Sequence, residues 1–143
     1  MTQLLRSRTA GAMLTATIVG LTLATSYIHS TLGGLLFTLN ALGYLGLAAM
    51  IVIGAVSPAS IVKRFSWFPR IALMGYTAMT IAGYLVMGPY FTLGFIAKGI
   101  EVALITLLVG DIVRVYGSPQ AFVRTALESV APVLPERFRP TAA

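Results

Sequence analysis

The sequence predicts an all-α integral membrane protein: an antiparallel four-helix transmembrane bundle followed by a short cytoplasmic amphipathic helix near the C-terminus. Three observations lead there. Hydrophobic residues fill 57% of the 143 positions and charged residues only 10%, where soluble domains carry about 25% charged. The apolar residues fall into four runs of about 18–25 residues, enough to cross a hydrocarbon core of about 30 Å at about 1.5 Å per residue. The basic residues lie between and beyond those runs, in the pattern that sets membrane topology.

The spans are expected at about 9–28, 31–56, 70–87 and 90–113, giving a transmembrane domain over 1–116 and a tail over 117–143. Each run is apolar all round and lacks the alternation of a barrel strand, so a helix, which satisfies its own backbone, is the spanning structure. The first run follows Arg6 and Arg8 and could be read as a signal peptide ending near Ala24-Thr25-Ser26. It exceeds the usual h-region of about 7–15 residues, which favours a retained helix.

Orientation comes from lysine and arginine. The expected turns at Tyr27–Ser30 and Gly88–Pro89 carry no charge, while the loop Ser57–Arg70 carries Lys63, Arg64 and Arg70. The tails add Arg6, Arg8, Arg114, Arg124, Arg137 and Arg139, so every basic residue except Lys98 falls on one side. The positive-inside rule makes that side the cytoplasm and places both termini there; a bacterial inner (plasma) membrane is the expected location. The net charge of +6 therefore marks topology, not a nucleic-acid surface.

Turns and caps organise the rest. The uncharged turns are short, which makes the first and second spans, and the third and fourth, antiparallel neighbours. Ser57-Pro58 reads as the start of a short helix, and Trp67, Phe68 and Arg70 suit a headgroup zone. Ser118-Pro119 starts an interfacial helix over about 118–131, with Phe122, Ala126, Leu127 and Val130 on one face. Pro132, Pro135 and Pro140 predict an irregular end.

The fourth span holds the exception. Lys98 and Glu101 share a helix face one turn apart, and Glu101 falls about 16 Å along the axis from Tyr90, near mid-bilayer. A charge at that depth costs about 2.5–3.5 kcal/mol on insertion scales, so it has a partner or a job. Asn40 in the second span and Thr80 in the third fall at similar depths, with Tyr84 one turn further out. The expected site is a polar layer of Asn40, Thr80, Lys98 and Glu101, opening past Tyr84 toward His29. Asp111 and Arg114 repeat the spacing at the inner end, where an interfacial pair is expected.

His29, the single histidine, is expected in the outer turn as a hydrated imidazole, a candidate pH-sensitive or ligand residue. Alone it does not supply bis-histidine haem ligation. With no cysteine there is no disulfide, thiolate metal site or thiol redox couple. No nucleophile–base pair or phosphate-cradling loop is present, so no enzyme, cofactor or metal is expected. The partners are the lipid bilayer and a second copy or larger membrane complex, with no nucleic acid. These residues fit a non-enzymatic accessory or scaffolding subunit packing through its polar layer. The alternative is a small proton- or cation-coupled transporter using Glu101 and Lys98; a remoter one is a pigment- or haem-binding protein using His29.

A reporter fused after Ala143 is expected on the cytoplasmic side; its recovery outside the cell would overturn the topology.

Overall fold

The computed structural model describes residues 7–88 and 90–133. Arg6, Arg137, Arg139, Pro89 and the proline-rich stretch beyond Val133 lie outside the described residues. Every regular element among the described residues is helical, and four helices are long and apolar enough to cross a membrane.

Helix α1 spans Arg8–Thr31, capped by the Ser7 hydroxyl accepting from the Ala10 amide at 3.0 Å. It runs past the expected turn at Tyr27–Ser30. Nothing there asks the backbone to leave the helix, and the Ser30 and Thr31 hydroxyls bond back to the Tyr27 and Ile28 carbonyls at 2.7 Å each. The break comes at Gly33 and Gly34, with φ of 71° and 83°, where a residue with a Cβ would be strained. Those glycines turn the chain into the second span.

Helix α2 spans Leu35–Val56 and leads to a short helix, α3, over Ser60–Arg64. Helix α4 spans Phe68–Met87 with Pro69 in its first turn, a position that needs no amide donor. Helix α5 spans Thr92–Tyr116 and stops at Gly117, φ 86°. Helix α6 spans Pro119–Val130, capped by the Ser118 hydroxyl accepting from the Ala121 amide at 3.1 Å, and a turn of 3₁₀ helix follows over Ala131–Val133.

The long helices close a ring: α1 packs on α2 and α5, and α4 packs on α5 and α2. Ile18, Tyr44, Ile51, Leu73, Leu104 and Leu108 meet in its core, with every long helix represented. The outward faces are apolar too, as at Leu35, Leu36, Leu42, Met79 and Val86.

A polar cluster ties one end of the ring. Asp111 is buried and accepts from Arg70 Nε at 2.8 Å and from Arg114 Nη2 at 2.7 Å, while Arg70 Nη1 donates to the Ser66 carbonyl at 2.6 Å. The expected Asp111–Arg114 pair is thus half of a bridge that joins the first turn of α4 to the last turns of α5.

Helix α6 is seated on this end of the ring. Its Ser129 hydroxyl accepts from Trp67 Nε1 at 2.7 Å, its Ser129 carbonyl accepts from Arg64 Nε at 2.9 Å, and Phe122 meets the Tyr116 ring edge-on at 5.0 Å. The seated face is therefore Phe122 and Ser129, whereas Leu127, expected beside Phe122, stays 51% exposed. The anchoring hydrogen bonds decide the face, and they involve a polar residue that a reading by hydropathy passes over.

Trp67→Phe removes one of these bonds and leaves the buried Ser129 hydroxyl without its donor, worth about 1 kcal/mol. Faster amide exchange over residues 119–130 is expected, with the four long helices unaffected; unchanged exchange there would contradict this docking.

Candidate functional site

The buried residues of α5 include Gly94, Ala97, Glu101, Leu104, Leu108 and Asp111, an alternation of three and four that forms a seam along the helix. Glu101 occupies one of its central positions and is fully buried. Small residues precede it on the seam. A side chain at Gly94 would run into the Tyr84 ring, so glycine there lets α4 lay Tyr84 against the start of α5.

A carboxylate out of reach of water needs its charge met and its oxygens occupied. Lys98 Nζ donates to Glu101 Oε2 at 2.5 Å and to the Thr80 carbonyl at 3.3 Å. Thr80 Oγ1 donates to the same Oε2 at 3.0 Å and lies 2.8 Å from the hydroxyl of Tyr44, itself fully buried. Each hydroxyl has one proton. With the Thr80 proton on the carboxylate, the chain runs from Tyr44 through Thr80 to Glu101, linking α2, α4 and α5.

The other oxygen, Oε1, is buried with no hydrogen-bond partner. Its nearest ionisable neighbour is His29 Nε2 at 3.9 Å, within ion-pair reach but beyond hydrogen-bond distance. His29 Nδ1 lies 2.8 Å from the Thr25 carbonyl. That carbonyl only accepts, so Nδ1 carries the proton, and in a neutral ring Nε2 is a bare acceptor facing a second acceptor.

His29 is therefore placed differently from expectation. It is 4% exposed, two residues before α1 ends at Thr31, and the Tyr44 and Phe37 rings lie 5.6 and 6.2 Å from its own. The hydrated outer turn expected around it does not form, because the chain remains helical until Gly33.

Glu101, Lys98 and Thr80 come together as one group. Tyr84 lies beside it, with Lys98 Nζ 5.6 Å from its ring and Tyr90, Phe91 and Phe95 packed around it. Asn40 stays outside the network: its backbone carbonyl accepts from the Tyr76 hydroxyl at 3.2 Å, and its amide makes no hydrogen bond among the described residues. Tyr44 is a member that the expected polar layer left out, although it falls four residues after Asn40, one turn further along α2.

A cavity of about 460 Å³ adjoins the cluster. His29, Thr80 and Lys98 stand at its floor, and Phe37, Tyr76 and Tyr84 contribute rings to its walls. Leu36, Leu39, Met79 and Met87 border it and are all more than half exposed, which opens it outward between α2 and α4. Among the described residues no group of three or more His, Asp or Glu stands ready to hold a metal ion.

Compared with protein-family models, with curated proteins and with solved structures, the chain finds no match, and the functional reading is carried by geometry alone.

Removing one member of a buried pair leaves the other charge uncompensated, at about 3–5 kcal/mol. Lys98→Met is expected to lose that much stability, and Lys98→Met with Glu101→Leu to regain most of it. Thermal unfolding in detergent reads both; a single variant as stable as the native chain would overturn the assignment.

Proposed function

We propose that the chain is an integral protein of a bacterial inner membrane, an antiparallel four-helix bundle with both termini cytoplasmic, that acts without catalysis as an accessory or scaffolding subunit. The observation that carries this reading is the Glu101 carboxylate. It is reached by Lys98 from its own helix, by Thr80 from α4 and by His29 from α1, with Tyr44 of α2 joined through Thr80. One buried group thus collects all four long helices, and its charge is matched on site. A self-neutral cross-brace of this kind fixes register between helices that apolar packing alone would leave free to slide.

Further support comes from the surface. The outward faces of the long helices are apolar, and four helices have the length and hydropathy of membrane spans. Such faces suit lipid, a second copy of the chain or a larger membrane complex.

One observation favours a second reading, a small proton-coupled transporter. The bare Nε2 of His29 and the unpartnered Oε1 of Glu101 face each other at 3.9 Å, a seat for a single proton. A haem or pigment held by His29 has less to support it, because Nδ1 is engaged by Thr25 and Nε2 looks toward Glu101.

Proton flux into reconstituted vesicles separates the two main readings. For the scaffold, neither the native chain nor Glu101→Gln carries flux under an imposed pH gradient, and Glu101→Gln lowers stability or assembly. Flux in the native chain that Glu101→Gln abolishes, with the fold intact, would sink the scaffold reading.

A further inference from the structure

The cavity between α2 and α4 has more chemistry at its floor than a packing defect needs. An ammonium has three protons to donate. Lys98 gives two, to Glu101 Oε2 and the Thr80 carbonyl, which leaves one on a residue that borders the cavity. Asn40 also borders it, and the donors of its side-chain amide are unspent among the described residues. The site therefore offers hydrogen-bond donors from two helices.

Charge restricts what accepts them. Lys98 and Glu101 cancel, so this ion pair gives the floor no net charge. An anion would arrive uncompensated among apolar walls, at a heavy desolvation cost. The complement is an uncharged carbonyl oxygen. The walls restrict its shape, because the rings of Phe37, Tyr76 and Tyr84 favour a flat, apolar partner that stacks or meets them edge-on. The volume of about 460 Å³ falls within the span of about 300–1,000 Å³ typical of small-molecule sites. The opening between Leu36, Leu39, Met79 and Met87 gives an apolar tail a way out toward lipid.

We infer that this cavity binds the headgroup of a lipid-soluble quinone, its carbonyl oxygens accepting from Lys98 and Asn40 and its tail leaving between α2 and α4. The site goes beyond the scaffold role and requires only that the bundle sits in a bilayer. Flotation of the reconstituted chain with vesicles after an alkaline carbonate wash checks that requirement separately.

The test is equilibrium titration of the full chain, in nanodiscs of phosphatidylcholine, with a decyl-tailed benzoquinone. Saturable binding of one molecule per chain is expected, corrected for partition into empty nanodiscs. Asn40→Leu is expected to weaken it up to about tenfold, the worth of one neutral hydrogen bond. Gly83→Leu fills the cavity from a wall position where an added Cβ meets nothing within 4 Å. It is expected to abolish binding without lowering the unfolding temperature. Absence of saturable binding by the native chain, or equal binding by Gly83→Leu, would overturn the proposal. Tighter binding of decanoate than of the quinone would overturn its uncharged headgroup.

Discussion

A carboxylate that no water reaches dictates the arrangement of this bundle. Glu101 sits on the inner seam of α5, and no neighbouring position on that seam offers a polar group until Asp111. Its charge has to be answered from its own helix, and its oxygens by whatever the other helices bring to the same depth. Lys98 answers the charge, Thr80, backed by the Tyr44 hydroxyl, donates to the oxygen that Lys98 also meets, and His29 stands opposite the other. Apolar side chains fill space on any face at modest cost in register, but these hydrogen bonds do not survive a slip of one residue. The polar layer, small in area, is thus what makes one packing of the four helices unique.

Asp111 repeats this logic about 15 Å along the same seam. There the answer comes from two guanidinium groups, Arg70 across the interface and Arg114 on the same helix. The two carboxylates differ in surplus. Around Asp111 the positive charges outnumber the negative, as suits an end of the ring where long basic side chains carry their charge toward a polar surroundings. Around Glu101 the count is even and the walls are apolar, so the unsatisfied chemistry there consists of single donors and acceptors instead of net charge. That distinction separates an anchor from a site able to hold a neutral guest.

What the sequence makes legible follows from what is local. Four helices long and apolar enough to cross a membrane are legible because length and apolarity are additive along the chain, and the Lys98–Glu101 pair is legible because three residues of helix bring two side chains together wherever the helix goes. The place where α1 ends is a different matter. Uncharged residues at 27–30 resemble a turn, yet the backbone breaks only at Gly33 and Gly34, and the extra helix through Thr31 carries His29 from an outer surface into the core. Asn40 stands beside the same cavity but apart from the hydrogen-bonded group for a related reason: depth along a helix is readable, rotation about it is not when the helix is apolar all round. The seam of α5 at Gly94, Ala97, Glu101, Leu104 and Leu108 hides among neighbours of equal hydropathy for the same cause. Arg70–Asp111 and Trp67–Ser129 span 41 and 62 residues, and nothing local announces either.

The stretch from Ser66 to Arg70 ends up as a small mechanical junction. Ser66 offers its carbonyl to Arg70 and lies 3.3 Å through its hydroxyl from Tyr116; Trp67 holds α6 through Ser129; Arg70 reaches into the ring to Asp111. Five consecutive residues therefore grip the segment that follows the four long helices with one hand and the seam of α5 with the other. Helix α6 thus meets the bundle at two places, the Phe122–Tyr116 ring contact and a Trp67 that lies three residues from the Arg70 holding Asp111, so the segment after Tyr116 is coupled to the buried carboxylate and not a tassel hung from the ring.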